Sequence, residues 1–358
     1  MGERRPFAPS PTPSAPGDDA ARDSRSAAEA SDRGARRKRL AWFAGALAVS
    51  AALLLYLVRR FDLQRLAAMV RAARPTHLAL AFLLYVLLNA ARAVRFRLLL
   101  EQQALTLAVL MPVVLVHNLL VRIVPFSLGE VSYVALLKHR GVDVSEGVGT
   151  LVGARLLDLL LVLVGGLVAL ALSPAALDGR GLSLAVCLVP VTCGAILFAG
   201  PLLRIAAALV GRARGSWGET LAGKARRTAA RLDALRRPRL LGAVLVASLG
   251  TYATSVAFNG VLLHTAGARA VDLPSTLAAI SAAMLLASVP LSIAGLGVVE
   301  GSWTVSLVLL GRLETSRAVA VGFFLHGCQL LCAVLSGGGG FLWLVFQQRR
   351  PRREREVS

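Results

Sequence analysis

Apolar residues in this chain are grouped into long runs, and short arginine-rich segments separate those runs. In lipid, backbone amides must find their hydrogen bonds inside a helix. Since a helix needs about 20 apolar residues to cross a bilayer, the pattern predicts an all-α polytopic membrane protein with about six full transmembrane helices. The predicted spans are 40–58, 78–95, 150–172, 182–210, 240–263 and 318–346.

Two further apolar regions contain helix-breaking residues followed by a carboxylate. The first is Pro125-Phe126-Ser127-Leu128-Gly129-Glu130, and the second runs from Pro290 through Gly295-Leu296-Gly297 to Glu300. Proline removes a helical hydrogen bond, and glycine weakens a helix because it has the most conformational freedom to lose. We therefore predict two broken, re-entrant helical hairpins. Their breaks are expected at Pro125, Gly129, Pro290, Gly295 and Gly297.

The two hairpins belong to an internal repeat of about 75–172 and 238–347. Glu130 and Glu300 are 170 residues apart, and each half contains a span, a broken hairpin, a turn and a second span. An offset of 170 or 171 also separates three further pairs: Gly141 and Gly311, Arg155 and His326, and Asp158 and Gln329.

The basic segments predict how the chain is oriented. Residues 1–39 are expected to be a disordered tail that ends in a basic run, and the loop 211–239 and the tail 348–358 are also rich in arginine. Because basic loops stay on the cytoplasmic side, we place the loop and both termini in the cytoplasm. The hairpins then enter from opposite faces, as in the inverted repeats of many secondary transporters. The amphipathic segment 59–76, with five arginines, lies outside in this topology, against the general rule.

The formal net charge of +20 on 358 residues is explained by the same pattern. Arginines at the ends of apolar runs, such as Arg92, Arg95 and Arg97 at the end of the span 78–95, suit topology and anionic lipid head groups. No basic segment contains interleaved aromatic residues, so we expect no nucleic-acid partner.

The cysteines lie in apolar runs without metal-ligand spacing, and no phosphate-binding loop, dinucleotide fingerprint or catalytic triad is present. We expect no metal, no cofactor and no catalytic residues.

Polar and charged residues inside the predicted membrane domain, 40–347, are the candidate functional residues. A charge at the bilayer centre costs roughly 2.5–3.5 kcal/mol on insertion scales, so such residues usually pair or line a polar cavity. We expect them to bind a lipid head group or a coupling proton between the hairpins. The predicted substrate-binding residues are Glu130, Glu300, Arg155, Asp158, Asn118 and Arg122.

Each candidate also has a purely structural interpretation. Arg155 and Asp158 are three residues apart on one helix face and can neutralise each other. Glu130 and Glu300 each follow a glycine at the start of a short helix, where a carboxylate is stabilised by the helix dipole. Asn118 can serve as an interhelical hydrogen-bond partner.

These motifs together resemble a known family. The run Asn118…Pro125…Gly129-Glu130, then Arg155-Leu-Leu-Asp158, then Pro290…Gly295-Leu-Gly297…Glu300, is similar to the membrane domain of bacterial lysylphosphatidylglycerol synthases over about residues 40–347. The resemblance implies a polytopic helical, flippase-like domain of a bacterial inner membrane that moves lipids between leaflets.

Two features depart from that family. Many members carry basic residues around the Gly-Glu motif, where this chain has Phe126-Ser127-Leu128 and Val131-Ser132-Tyr133. A preference for anionic head groups is therefore open. The synthases also need a large soluble domain, whereas this chain ends twelve residues after the last predicted span, 318–346. We do not expect it to be a complete synthase.

Three functions are compatible with the sequence. The first is a transporter that moves a phospholipid or an isoprenoid-linked lipid through a site near the bilayer midplane, without enzymatic activity. The second is a membrane scaffold that docks a separate envelope glycosyltransferase or aminoacyltransferase on the basic loop 211–239. The third is a membrane-embedded transferase with Glu130 or Asp158 as its base.

Overall fold

The computed structural model describes residues 55–56, 59, 62–100, 105–124, 128–172, 179–211, 216–287, 296–310 and 312–349. Within these ranges the chain forms eleven α-helices and no strand. The helices are α1 (Leu63–Ala72), α2 (Pro75–Leu99), α3 (Leu107–Ile123), α4 (Leu128–Lys138), α5 (Val144–Leu172), α6 (Gly179–Gly211), α7 (Ser216–Ala234), α8 (Pro238–Thr265), α9 (Leu273–Ala287), α10 (Val298–Leu309) and α11 (Thr315–Arg349).

Four of these helices are long and apolar enough to cross a membrane. They are α2, α5 over Val144–Ala169, α8, and α11 over Thr315–Gln347. They coincide with four of the predicted spans, 78–95, 150–172, 240–263 and 318–346. The predicted span 182–210 falls on α6, where Leu197–Gly211 is a shorter apolar helix. Most of the predicted span 40–58 lies outside the described residues, as does the predicted tail 1–39.

Each predicted hairpin consists of two short helices, α3 with α4 and α9 with α10. The breaks predicted at Pro125, Pro290 and Gly295 lie outside the described residues. Gly297 precedes α10 with a φ of 80°, a left-handed conformation that glycine adopts readily and other residues rarely adopt. Gly129 lies in the first turn of α4, close to the backbone of α3.

The first helices of the two halves, α2 and α8, pack against each other and run in opposite directions. The ring of His77 near the start of α2 lies 5.3 Å from that of His264 near the end of α8. Further along, the ring centroids of Tyr85 and Phe258 are 5.5 Å apart. Each hairpin also packs against the long last helix of the other half, α3 against α11 and α9 against α5.

Two hydrophobic clusters follow the same division. One is built mainly from α8 to α11 and includes Phe258, Leu262 and Leu325. The other is built mainly from α2, α3 and α4 and includes Phe96, Val113 and Tyr133. Each half therefore has a core of its own, and the crossed helix contacts join the two cores.

Helix α1 lies within the predicted amphipathic segment 59–76. Its apolar residues Leu66 and Met69 pack against the core of the second half. Asp62 caps the helix by accepting a hydrogen bond of 3.0 Å from the amide of Arg65. The Arg65 guanidinium donates to Ser316 Oγ at the start of α11, at 3.2 Å.

The basic loop predicted at 211–239 contains the helix α7, which packs on α5 and α6. The Thr228 hydroxyl of α7 donates to the carbonyl of Ser145, 3.1 Å away. Asp143 precedes α5, and the hydroxyl and amide of Ser145 donate to its carboxylate and lower its pKa. This carboxylate therefore stabilises the start of α5 at neutral pH, and the stabilisation is lost as the pH falls through the lowered pKa.

The run Gly337–Gly340 lets α11 approach α3 closely. Neighbouring glycines of this run should therefore differ in how much an added methyl group destabilises the protein. A Cβ atom at Gly337 would lie 2.5 Å from Leu119 Cβ and 3.0 Å from the carbonyl oxygen of Leu115, whereas one at Gly338 would meet nothing within 4 Å. We expect Gly337→Ala to lower the free energy of unfolding by about 1–3 kcal/mol through overpacking. Gly338→Ala is the matched control and should be neutral or stabilising. Thermal unfolding in detergent measures both, and equal effects would contradict this packing.

Candidate functional site

The carboxylate of Glu130 lies in the first turn of α4 and faces α5. Its Oε1 atom is paired with Nη2 of Arg155. Its Oε2 atom lies 3.8 Å from His117 Nε2 and, among the described residues, has no hydrogen-bond partner although it is buried. The Glu130 side chain is 27% exposed and that of Arg155 is 51% exposed. The pair is thus accessible from outside the protein while one carboxylate oxygen keeps an unused acceptor.

The second carboxylate of this region is that of Asp158 on α5. Its main partner is Arg95 of α2. The Arg95 guanidinium donates hydrogen bonds to both of its oxygens, from Nη2 to Oδ2 at 3.2 Å and from Nη1 to Oδ1. Arg155 also approaches Asp158, at 3.6 Å from Nη1 to Oδ2. The expected neutralisation between Arg155 and Asp158 therefore exists, but each residue has a closer partner on another helix.

The interpretation of Arg92 and Arg95 as basic residues that flank lipid at the end of the span 78–95 is wrong for Arg95. Helix α2 continues to Leu99, and the Arg95 side chain is 2% exposed. Its burial is possible because α5 supplies the carboxylate of Asp158, which satisfies the charge. One signal for this was available in the sequence: Asn89, Arg92 and Arg95 follow each other at intervals of three, so they share one side of α2.

Asn118 of α3 connects Arg92 and Asn89, two residues of α2, in a chain of hydrogen bonds. Arg92 Nη1 donates to Asn118 Oδ1 at 2.9 Å. Asn118 Nδ2 donates to Asn89 Oδ1 at 2.6 Å and to the Val114 carbonyl at 3.0 Å. Asn89 is fully buried and donates to the carbonyl of Tyr85 at 2.8 Å. The predicted residue Asn118 thus serves as an interhelical hydrogen-bond partner and also orients an arginine.

Glu300 in the second hairpin has a different environment from Glu130. Its side chain is 1% exposed, and both oxygens have partners. The amide of Gly297 donates to Oε2 at 2.8 Å, which caps the start of α10, and His326 Nδ1 lies 2.7 Å from Oε1. This arrangement agrees with the helix-terminus interpretation of Glu300. His326 follows Arg155 by 171 residues, and each of the two lies beside the glutamate of its own hairpin.

Arg122 connects the first hairpin to the second half of the chain. Its Nη1 atom donates to Gln329 Oε1 at 3.3 Å, and Gln329 Nε2 donates to Asn259 Oδ1 at 2.9 Å. Asn259 in turn donates to the Ser255 carbonyl at 2.8 Å.

The six predicted substrate-binding residues therefore separate into two groups. Glu130, Arg155, Asp158 and Asn118 lie together with Arg92, Arg95 and His117, which we name the Glu130 cluster, while Arg122 and Glu300 face α11.

An open cleft of about 360 Å³ lies elsewhere, between the start of α5, helix α7 and the start of α8. None of the predicted substrate-binding residues lines it. Arg231 and Glu146 face each other across it at 3.9 Å, and Arg227 and Asp143 at 4.0 Å. Within the described part of the chain, no group of three metal-binding side chains comes together.

The model of the lysylphosphatidylglycerol synthase TM region matches residues 43–337, which is most of the chain. The chain belongs to this family. The match includes both hairpins and the whole Glu130 cluster, so the resemblance of the motifs is confirmed. Since four helices in its described part are long and apolar enough to cross a membrane, this family member is a multi-pass helical membrane protein. No curated protein sequence matches the chain.

Proposed function

We propose that this protein transports a polar-headed lipid between the leaflets of a bacterial inner membrane, with the Glu130 cluster as its head-group site. The observation that carries this proposal is the partly exposed ion pair of Glu130 and Arg155 within the membrane domain. Ionisable groups inside a membrane protein face either each other or a polar cavity. Here the Glu130 side chain is 27% exposed, so a head group can reach the carboxylate and donate a hydrogen bond to it.

We infer that the two halves form an inverted repeat around this site. The antiparallel packing of α2 and α8 supports this inference, because equivalent helices of an inverted repeat run in opposite directions. The crossed packing of each hairpin on the other half supports it as well. In such proteins one repeat rocks or gates against the other around a site near the midplane. The hydrophobic tails of the lipid would remain in the bilayer, and both termini would lie in the cytoplasm.

The two hairpins would then have different tasks. The Glu130 hairpin presents a partly exposed carboxylate, so it contacts the head group. The Glu300 hairpin has its carboxylate fully engaged by Gly297 and His326, so it fixes the start of α10 against α11. This difference separates a ligand-binding role from a structural one.

Lipid translocation by the purified protein in liposomes tests the proposal. We expect Glu130→Gln to slow translocation at least about tenfold, since a charge-assisted contact to the head group is removed. Glu300→Gln should lower the thermal stability but keep most of the translocation rate per folded molecule. Glu219→Gln, at an exposed position in α7, is the control for loss of a carboxylate.

Unchanged translocation in Glu130→Gln would remove Glu130 from the mechanism. The transport proposal is contradicted if the wild-type protein moves none of several phospholipids or isoprenoid-linked lipids.

The charged cleft beside α7 favours a second candidate, a scaffold for a separate envelope glycosyltransferase or aminoacyltransferase. The cleft is lined by charged residues of α5 and α7 and by Asp143 and Arg237, which precede α5 and α8. Such a surface suits a polar protein partner. Translocation by the purified protein alone favours the transporter, because a scaffold has no activity without its enzyme.

A further inference from the structure

The Glu130 cluster contains more positive than negative charge. Its guanidinium groups are those of Arg92, Arg95 and Arg155, and its carboxylates are those of Glu130 and Asp158. His117 lies 3.8 Å from Glu130 and is counted as neutral. The cluster therefore has a formal excess of one positive charge inside the membrane domain.

The excess can be assigned to one residue. Arg95 is held by both oxygens of Asp158, and Arg155 is paired with Glu130 and approaches Asp158. Among the described residues, Arg92 has no carboxylate within ion-pair distance, and its hydrogen bond goes to the neutral amide of Asn118. Arg92 is also only partly exposed. A guanidinium inside the membrane domain without a counter-ion is costly, so the site favours an incoming anion.

The neighbours of Arg92 fix its orientation. Asn118 uses both Nδ2 hydrogens, on Asn89 Oδ1 and on the Val114 carbonyl, so its Oδ1 must face Arg92. One N–H of Arg92 is thereby held, and no other hydrogen bond of its guanidinium group is found among the described residues. A planar fork with parallel donors matches the oxygens of a phosphate group.

We propose that Arg92, supported by Arg155, binds the phosphate of an anionic lipid head group and makes the site selective for anionic over zwitterionic lipids. This inference rests on the proposed transport function. A zwitterionic head group would bring an ammonium group into a cluster that is already positive, whereas an anionic one neutralises the excess. The absence of basic residues beside Gly129-Glu130 therefore does not remove the anionic preference, because α2 supplies the charge.

The test compares fluorescent phosphatidylglycerol with fluorescent phosphatidylcholine in liposomes that contain the wild type or a variant. The wild type should move the anionic lipid about tenfold faster, which corresponds to one charge-assisted contact. Arg92→Gln, which keeps an N–H for Asn118, should reduce this ratio to near one. Arg92→Lys should retain part of it because the charge remains. Arg97→Gln removes an exposed arginine of the same helix and should leave the ratio unchanged.

A second measurement identifies the source of the phosphate and separates the two proposals. Short-chain phosphatidylglycerol should raise the melting temperature of the detergent-solubilised protein, and Arg92→Gln should abolish that shift. Inorganic phosphate and glycerol phosphate alone should give no shift in the melting temperature. An equal, Arg92-dependent shift with either of them would overturn the lipid assignment.

If the wild type moves no lipid, the transport proposal fails, and the Arg92-dependent shift of the melting temperature alone then decides the binding site. If both lipids move at equal rates, or the ratio survives in Arg92→Gln, the selectivity proposal fails while transport stands.

Discussion

Arg95→Met is expected to lower the free energy of unfolding by about 3–5 kcal/mol, because it leaves the carboxylate of Asp158 without its main partner. The Arg95 side chain is 2% exposed and holds both oxygens of Asp158. Removing one member of a buried ion pair costs much more than the pair contributes, since the remaining charge has lost its hydration as well as its partner. Thermal unfolding in detergent measures the loss. Arg97→Met, at an exposed position two residues away, should change the stability little.

The double variant Arg95→Met/Asp158→Leu shows whether the loss comes from the pair. Replacing both charges by apolar side chains removes the unpaired carboxylate, so the double variant should be more stable than Arg95→Met alone. If the two substitutions instead destabilise additively, Arg95 stabilises the protein by another route.

Gly129→Ala is expected to destabilise the first hairpin strongly. A Cβ atom at Gly129 would overlap the Cα atom of Val121 and would lie 2.6 Å from the carbonyl oxygen of Leu120 and 2.7 Å from the amide nitrogen of Val121. All three contacts are with backbone atoms, which cannot move aside as a side chain can. We expect a loss of about 3 kcal/mol, at the upper end of overpacking effects, because α3 and α4 must separate.

The separation of α3 and α4 should also displace Glu130, the next residue. The ion pair with Arg155 then weakens, so lipid translocation should fall together with the melting temperature. Gly260→Ala in α8 is the matched control, since a Cβ atom there meets nothing within 4 Å. Alanine is the better helix former, so this control should be neutral or slightly stabilising. If Gly129→Ala behaves like the control, the close contact of the two helices is not required.

The environments of Glu130 and Glu300 explain why similar sequence motifs need not have the same task. Both glutamates begin a short helix after a glycine, and both face a basic residue one helix further along, Arg155 or His326. Glu300 is enclosed, and its second oxygen caps its own helix. Glu130 stays partly exposed, and its second oxygen has no hydrogen-bond partner among the described residues. Two similar motifs therefore contain one buried carboxylate, Glu300, and one partly exposed carboxylate, Glu130.

Features that depend on local composition and spacing could be predicted before the structure was known. Apolar length is a local property, so the spans 78–95, 150–172, 240–263 and 318–346 could be predicted. The offset of 171 residues also placed Arg155 and His326 at equivalent positions, and each is found beside the glutamate of its own half.

The burial of each charge and the identity of its partner became known only from the packing of the helices. An arginine that flanks a span and one that lies inside the protein look alike in sequence, since the difference depends on a carboxylate from another helix. Arg95 is buried because Asp158 of α5 lies opposite, and Arg92 is left with an amide because Asn118 of α3 lies there instead. The energy of a charge in a membrane depends on such partners from distant parts of the chain, and their positions are fixed by packing.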